Sequence, residues 1–227
     1  MERTNGTTVA LVDRHALFSE CLALALERRN YSCHVVSVAD DATLPDRVLG
    51  RLRAVRPRVL LVNAELGQTY SGVDLVAPMV RAGVAVVVIT ATVDEALWGR
   101  CLAEGARVVL SKNMSLASVV SVVRRVSQDQ VVLDRSERDR LIGIHRRHAV
   151  EHRMLQQRLR RLTTHEGQIL RHLMVGHTVR EIAARRHVSV ATVRSQVKAI
   201  LRKLELSSQI AAIAAARHAG WDARHCH

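Results

Sequence analysis

The chain has 227 residues, 48% of them apolar and only 2% aromatic, with a formal net charge of +13. That length suits two domains with cores built from aliphatic side chains, and no apolar run reaches the ~18–20 residues a membrane-spanning helix needs. The polar start, Met1 to Thr8, carries no secretory signal pattern, which predicts a cytoplasmic protein.

The first half alternates strand and helix patterns. Thr8–Val12, Cys33–Val38, Arg58–Val62, Val84–Thr90 and Ala106–Leu110 read as strands. Between and after them, His15–Arg29, Ala42–Val55, Val73–Arg81, Val93–Glu104 and Ser115–Val126 carry apolar residues at helical spacing. Pro45 fits only a first turn, and Pro78 predicts a local irregularity. Continuous apolar strands separated by helices predict an α/β domain over 1–126, a five-stranded doubly wound parallel sheet covered on both faces. Functional groups in such sheets lie beyond the carboxyl ends of the strands. That rule brings Asp13, Arg14, Asn63, Thr90 and Lys112 into one shallow pocket.

Residues 127–161 differ. One Gly and no Pro interrupt the run, and Leu141, Ile144, His148, Glu151, Leu155 and Leu159 recur every three or four residues. This predicts a long amphipathic linker helix with a thin apolar stripe. It could pair with its twin in a homodimer or lie on the first domain.

Residues 162–227 form the second domain, helical through Gly220. Thr163 or Thr164 caps a helix over His165–Val175, with Glu166 in its first turn and Gly176 ending it. Thr178 caps Val179–His187; the turn Val188–Ser189 leads into Val190–Leu204; Ser207 or Ser208 caps a last helix through His218. This makes four helices.

Charge sharpens the division. Residues 1–126 hold 15 Lys and Arg against 12 Asp and Glu, a net of +3, while residues 127–227 hold 19 against 9, a net of +10. A basic half predicts a polyanionic partner, or a solvated face that aids solubility. Two short helices joined by a tight turn, the second amphipathic and basic, meet the requirement for reading the major groove of double-stranded DNA. Ile182, Ala183, Val193, Val197, Ile200, Leu201 and Leu204 are the packing residues. Arg194, Ser195 and Lys198 share the outward face near the second helix's start, and Arg202 continues it. An Arg there can grip guanine with two hydrogen bonds. Lys203 and the residues near Thr163, Thr178 and Ser208 are better placed for phosphates.

The run from Leu162 to Ile213 closely resembles the LuxR-type helix-turn-helix of the NarL/FixJ response-regulator family. The matching pieces are Leu162-Thr163 with Glu166, Gly176, Glu181-Ile182-Ala183, Ser189, Thr192-Val193, Lys198, Ile200-Leu201, Lys203-Leu204 and Ser208. The resemblance adds Thr192 to the expected DNA-binding residues. Gln196 departs from the His frequent there, which touches specificity rather than fold. The resemblance implies a transcription regulator, not an enzyme, acting as a homodimer on an inverted or direct repeat.

It also implies that residues 1–126 are a receiver domain. Such domains take a phosphoryl group on an aspartate at the end of strand 3, beside acids that hold Mg²⁺, and sense it through a Thr or Ser and a Lys. Here Asn63 stands at the acceptor position and Arg14 at the second acidic one. Asp13, Thr90 and Lys112 match, and Val109 replaces a frequent aromatic residue. An amide is a poor nucleophile beside a carboxylate, and Mg²⁺ wants hard anionic oxygens, which Arg14 opposes. A degenerate pocket without metal or other cofactor is expected, with Asp13 paired to Lys112, Arg14 or both, and Thr90 and Lys112 either functional or relics of packing. The expected regulator is phosphorylation-independent. The alternative is a sensor module in which a small molecule or a protein at the receiver gates DNA binding. A phosphotransfer protein is disfavoured by Asn63, and a protein- or RNA-binding module stays open.

Cys21, Cys33, Cys101 and Cys226 show no CxxC pairing, so free and mostly buried thiols are expected. His145, His148 and His152 share one helical face, and the tail His225-Cys226-His227 is metal-like, but neither has the spacing of a closed site.

Overall fold

A computed structural model describes residues 6–36, 38, 44–67 and 70–221, and the chain divides into two units, Met1–Arg146 and Arg147–His227. The tail 222–227, with its His-Cys-His, lies outside the described residues, as do Ala42 and Thr43 of the second expected helix.

In the first unit the order is β1 Thr8–Val12, α1 Ala16–Glu27, β2 Ser32–Val35, α2 Leu44–Val55, β3 Val59–Asn63, a 3-10 turn Gly72–Leu75, α3 Val76–Arg81, β4 Ala85–Thr90, α4 Glu95–Ala103, β5 Val108–Ser111 and α5 Leu116–Ser127. The strands are parallel in the order β2-β1-β3-β4-β5. Alternate strand residues feed two cores, one on each face. Val12, Leu60, Val62, Val86 and Val88 meet Leu52, Met79 and Cys101 on one side. Val9, Leu11, Leu61, Val87 and Ile89 meet Leu22, Leu26, Val120 and Val123 on the other.

Helix ends shift by up to two residues, as at α1, α4 and the second-unit helix Val179–Arg185, and three further elements of the first unit differ from expectation. The edge strand β2 stops at Val35, and Val36 turns into the core while its N–H still donates to Leu11 O at 2.8 Å. β5 starts two residues late, at Val108. The helix expected from Val73 opens as a 3-10 turn, capped by Ser71 accepting from Val73 N at 3.2 Å. Gly72 permits this tight start, because a Cβ there would stand 1.9 Å from Asn63 O.

α6 runs unbroken from Arg135 to Arg160, so the division at Arg146 falls inside the segment read as a linker. Within the first unit its opening turns pack on α4. A Cβ at Gly99 would lie 2.0 Å from Leu141 O, so only glycine allows this approach. Arg138 donates to Leu102 O at 2.7 Å and Ala106 O at 2.9 Å, and Arg140 pairs with Glu95 at 2.6 Å. Of the expected stripe, Leu141 and Leu159 are buried, Ile144 and Leu155 half-buried, and His148 and Glu151 exposed.

The second unit holds the end of α6 with α7 Thr164–Met174, α8 Val179–Arg185, α9 Val190–Leu204 and α10 Gln209–His218. Each of these four starts at a hydroxyl cap, Thr163, Thr178, Ser189 and Ser208, which accepts a first-turn N–H. Leu159, Leu162, Ile169, Leu170, Ile182, Val193, Ile200, Leu204, Ala212 and Ala216 fill its core. Among the described residues no helix is long and apolar enough to cross a membrane.

The described cysteines are free. Burial pushes the thiols of Cys33 and Cys101 up, to about 11 and about 12, which keeps them in the protonated form at neutral pH. Cys21 is exposed, against the expectation of burial, because it lies on the outer face of α1.

Candidate functional site

The amphipathic pattern of α9 fixes what it shows to solvent. Val193, Ile200 and Leu204 are buried, and Val197 and Leu201 half-buried. Arg194, Ser195, Lys198 and Arg202 are exposed, and their spacing places them along one face. Gln196 is half-buried at the side. Thr192 is exposed in the first turn, where its N–H donates to Ser189 Oγ at 3.0 Å and its hydroxyl lies 2.8 Å from that oxygen.

The residues expected to contact phosphate prove to have structural work. Thr178 forms a capping box, accepting from Glu181 N at 3.3 Å and donating to Glu181 Oε2 at 2.9 Å. Thr163 does the same with Glu166, and Ser208 Oγ accepts from Ala211 N at 3.1 Å. Lys203 turns away from the exposed face, to Glu166 Oε2 at 2.6 Å and Arg161 O at 3.3 Å. Burial pushes the Glu166 carboxyl up, but Lys203 and Thr163 outweigh it and hold the carboxyl below its usual range. Lys203 thus ties α9 to the cap of α7, a long-range partner that helical spacing cannot reveal.

The strand ends of the first unit bring Asp13, Asn63, Thr90 and Lys112 together. Asp13, Asn63 and Thr90 are buried. Lys112 Nζ stands 2.6 Å from Asp13 Oδ2, over the Phe18 ring with 5.0 Å to its centroid. Asp13 Oδ1 accepts from His15 N at 2.9 Å and from Asn63 Nδ2 at 3.2 Å. Asn63 Nδ2 also donates to Glu65 O at 2.8 Å, and Asn63 Oδ1 accepts from Glu65 N at 3.3 Å. Thr90 Oγ1 donates to the Glu65 carboxylate and accepts from Thr92 N. Among the described residues the ion partners of Asp13 are Lys112 and His15, and Arg14 points to solvent. Lys112, not Arg14, therefore answers the expectation of a partner for Asp13.

Burial raises the Asp13 carboxyl, and Lys112 with the two bonds from His15 more than reverses this, so its net displacement is downward. Two contributors escaped the sequence reading. His15 looked only like the start of a helix, yet its Nδ1 sits 3.0 Å from Asp13 Oδ1 and 3.3 Å from Lys112 Nζ. Glu65 lies two residues past the acceptor position and becomes relevant only through the return of the chain beside β4.

These groups do not fit Mg²⁺. The cation position beside Asp13 is taken by an ammonium, and Asn63 presents amide hydrogens to Asp13. Among the described residues no group of three or more His, Cys, Asp or Glu is arranged to hold a metal ion. His148 and His152 pack edge-on to His218, with ring centroids 5.7 and 5.9 Å apart.

Comparisons with known proteins agree with this division of labour. Residues 9–124 match the response regulator receiver domain, and residues 160–216 match the luxR family of bacterial regulatory proteins. Two strains of Mycobacterium tuberculosis carry a "probable transcriptional regulatory protein NarL" that is 27% identical over 209 residues, 92% of each chain. A nitrate/nitrite response regulator protein homolog of Haemophilus influenzae is 25% identical, over 90% of this chain and 93% of its own. A solved structure of two RcsB dimers bound to two parallel DNAs is 18% identical, covers 94% of this chain and 98% of that one, and gives a TM-score of 0.50, a likeness of fold. The chain belongs to the response regulator family, in its NarL/FixJ type, with a receiver domain and a LuxR-type DNA-binding domain. It is a DNA-binding transcription regulator.

Proposed function

We propose that this regulator reads specific DNA sequences while its receiver pocket works without aspartyl phosphorylation. The ion pair between Lys112 and Asp13 at 2.6 Å carries the reading. A phosphorylatable pocket needs carboxylates free to collect Mg²⁺ and one to attack phosphorus. Here the carboxylate is neutralised by an ammonium, and the residue at the acceptor position is an amide donating to it. Incubation with a small phosphodonor and Mg²⁺, followed by intact mass, tests this. No mass change is expected, and a stoichiometric phosphoryl adduct on the receiver would overturn it.

In this reading Arg194, Ser195 and Lys198 contact base edges, and Arg202 and Thr192 the adjoining backbone. Thr178 and Ser208 act at phosphates through the helix N-termini they cap, not through free hydroxyls. Lys203 supports α9 from behind. The working division is a receiver over 1–126, a helical connection over 127–161 and the DNA-binding domain over 162–227, acting as a cytoplasmic homodimer. The exposed α9 face supports the assignment of reading residues. Selection of bound sites from random duplexes, repeated with Arg194→Ala and Lys198→Ala, tests it. Changed preference at particular positions is expected; identical sites from all three proteins would overturn it.

A further inference from the structure

A second cleft opens at the opposite end of the sheet from Asp13, with a volume of about 480 Å³. That lies within the ~300–1,000 Å³ usual for small-molecule sites. Arg58 immediately precedes β3 and Arg107 immediately precedes β5, so they stand on either side of the start of β4. Both reach one carboxylate: Arg58 to Asp129 Oδ2 at 2.6 Å, Arg107 to Asp129 Oδ1 at 3.3 Å. Arg138, from the first turn of α6, joins the lining. Three guanidiniums thus share a wall with one carboxylate.

The arrangement is not that of a finished structural pair. Arg58, Arg107 and Asp129 keep 54%, 53% and 59% of their side chains exposed. The described bonds use only part of the five donors on each guanidinium. Asp129 is itself held in the left-handed region, at φ 55°. The rest of the lining is largely apolar, with Val80, Val84, Val132 and Leu133. A cationic end facing an apolar wall suits a ligand with an anionic head and an uncharged body.

We propose that this cleft is an effector site for a small organic anion of nucleotide size, its phosphate or carboxylate gripped by Arg58 and Arg107 and its body set against Val84 and Leu133. Both carboxylates and phosphates can pair with the guanidinium fork in bidentate fashion. Asp129 is the built-in competitor that the anion displaces. The bound body then packs on Val132 and Leu133 of the Asp129–Leu133 connection, which leads into the start of α6. The site stands apart from the Asn63 pocket and does not rest on how that pocket works.

Titration of the full-length protein with pyrophosphate and with citrate, followed by calorimetry and hydrogen exchange, tests the proposal. The two probes separate a phosphate ligand from a carboxylate one. At least one is expected to bind one per chain with half-saturation below about 1 mM. Exchange should slow in residues 129–138. Because residues 147–227 are basic and offer anions a competing surface, the double variant Arg194→Ala/Lys198→Ala must retain the site. Arg107→Ala should weaken it about tenfold, Arg107→Lys partly, and Asp129→Asn should tighten it severalfold by removing the competing carboxylate. Failure of both probes to saturate at ~10 mM, protection confined to 147–221, or equal binding by Arg107→Ala would each overturn it. None of these outcomes bears on DNA reading, which is measured separately.

Discussion

Lys112 Nζ lies 2.6 Å from Asp13 Oδ2, joining the end of β5 to the end of β1 across two intervening strands. The contact closes the pocket electrically: one ammonium meets one oxygen of a buried carboxylate, and the neighbouring amide donates to the other oxygen. The pocket is therefore held together by its own side chains.

Lys112→Met leaves the buried Asp13 carboxylate without its ammonium partner, with His15 and Asn63 still on its other oxygen. Breaking a dry pair costs ~3–5 kcal/mol, and the partial exposure of Lys112 brings the expected loss to about 2–3 kcal/mol at neutral pH. Denaturant unfolding measures it. The Asp13 carboxyl is displaced downward in the parent, so its contribution is present above the unfolded value of ~3.9 and lost as pH falls through the folded value. The gap between parent and variant should accordingly narrow in acid. A gap independent of pH would mean that Lys112 acts through packing alone.

Asn63→Asp sets a second carboxylate against Asp13 with one ammonium to share. Destabilisation by ~1–3 kcal/mol is expected in chelator, because like charges at this range disfavour joint ionisation. Mg²⁺ should restore part of the loss in the variant and leave the parent's melting temperature unchanged. Thermal melts with and without Mg²⁺ give all four values.

Two lysines on α9 should part company. Lys198→Ala removes an exposed charge, so stability should hold within ~0.5 kcal/mol while DNA affinity drops. Lys203→Ala strands Glu166 beside the α7 cap and should lower the melting temperature of the DNA-binding domain first. Arg202→Ala should reduce the salt slope of binding by about 1, and Arg194→Ala should cost ~1–3 kcal/mol at specific base pairs only. Fluorescence anisotropy across a salt series, beside thermal melts, separates these effects.

His172 Nδ1 faces His177 Nδ1 at 2.9 Å, and burial, then the charges of His177, Arg185, Arg186 and Arg171, holds His172 below the usual histidine value. With the folded value depressed, the unfolded chain takes the proton first. Stability should be full above ~6.5 and fall as pH drops below it. His172→Gln should flatten this dependence in pH-resolved melts; an unchanged slope would place its origin elsewhere.

Much of this was legible locally. The run Val84–Thr90 has no polar residue before its end, and it became β4, an interior strand buried from Val86 to Thr90. The cap Thr178 was legible because a hydroxyl one residue before a helical pattern has a local role, and the same rule narrowed two others to Thr163 or Thr164 and Ser207 or Ser208, of which the structure uses Thr163 and Ser208. Local reading reached the degenerate pocket too, since strand ends in a parallel sheet converge by topology. What escaped depends on distant chain. Lys203 looks outward by spacing alone, and only the fold brings Glu166 from 37 residues away to turn it. Glu65 and His15 became part of the pocket through the path of loops, which carry no periodicity. The late start of α3 follows from one backbone approach, Gly72 to Asn63, which leaves no pattern in sequence.

The pairing of Asp13 with Lys112 also constrains how such a receiver can change. An aspartate at position 63 alone crowds two anions onto one ammonium. An acid at position 14 alone adds a metal ligand where nothing accepts a phosphoryl group. Each single step is disfavoured or idle, and only the two together offer a new chemistry. The self-neutralised pocket therefore acts as a ratchet: sequence drift can wander around it more easily than back through it.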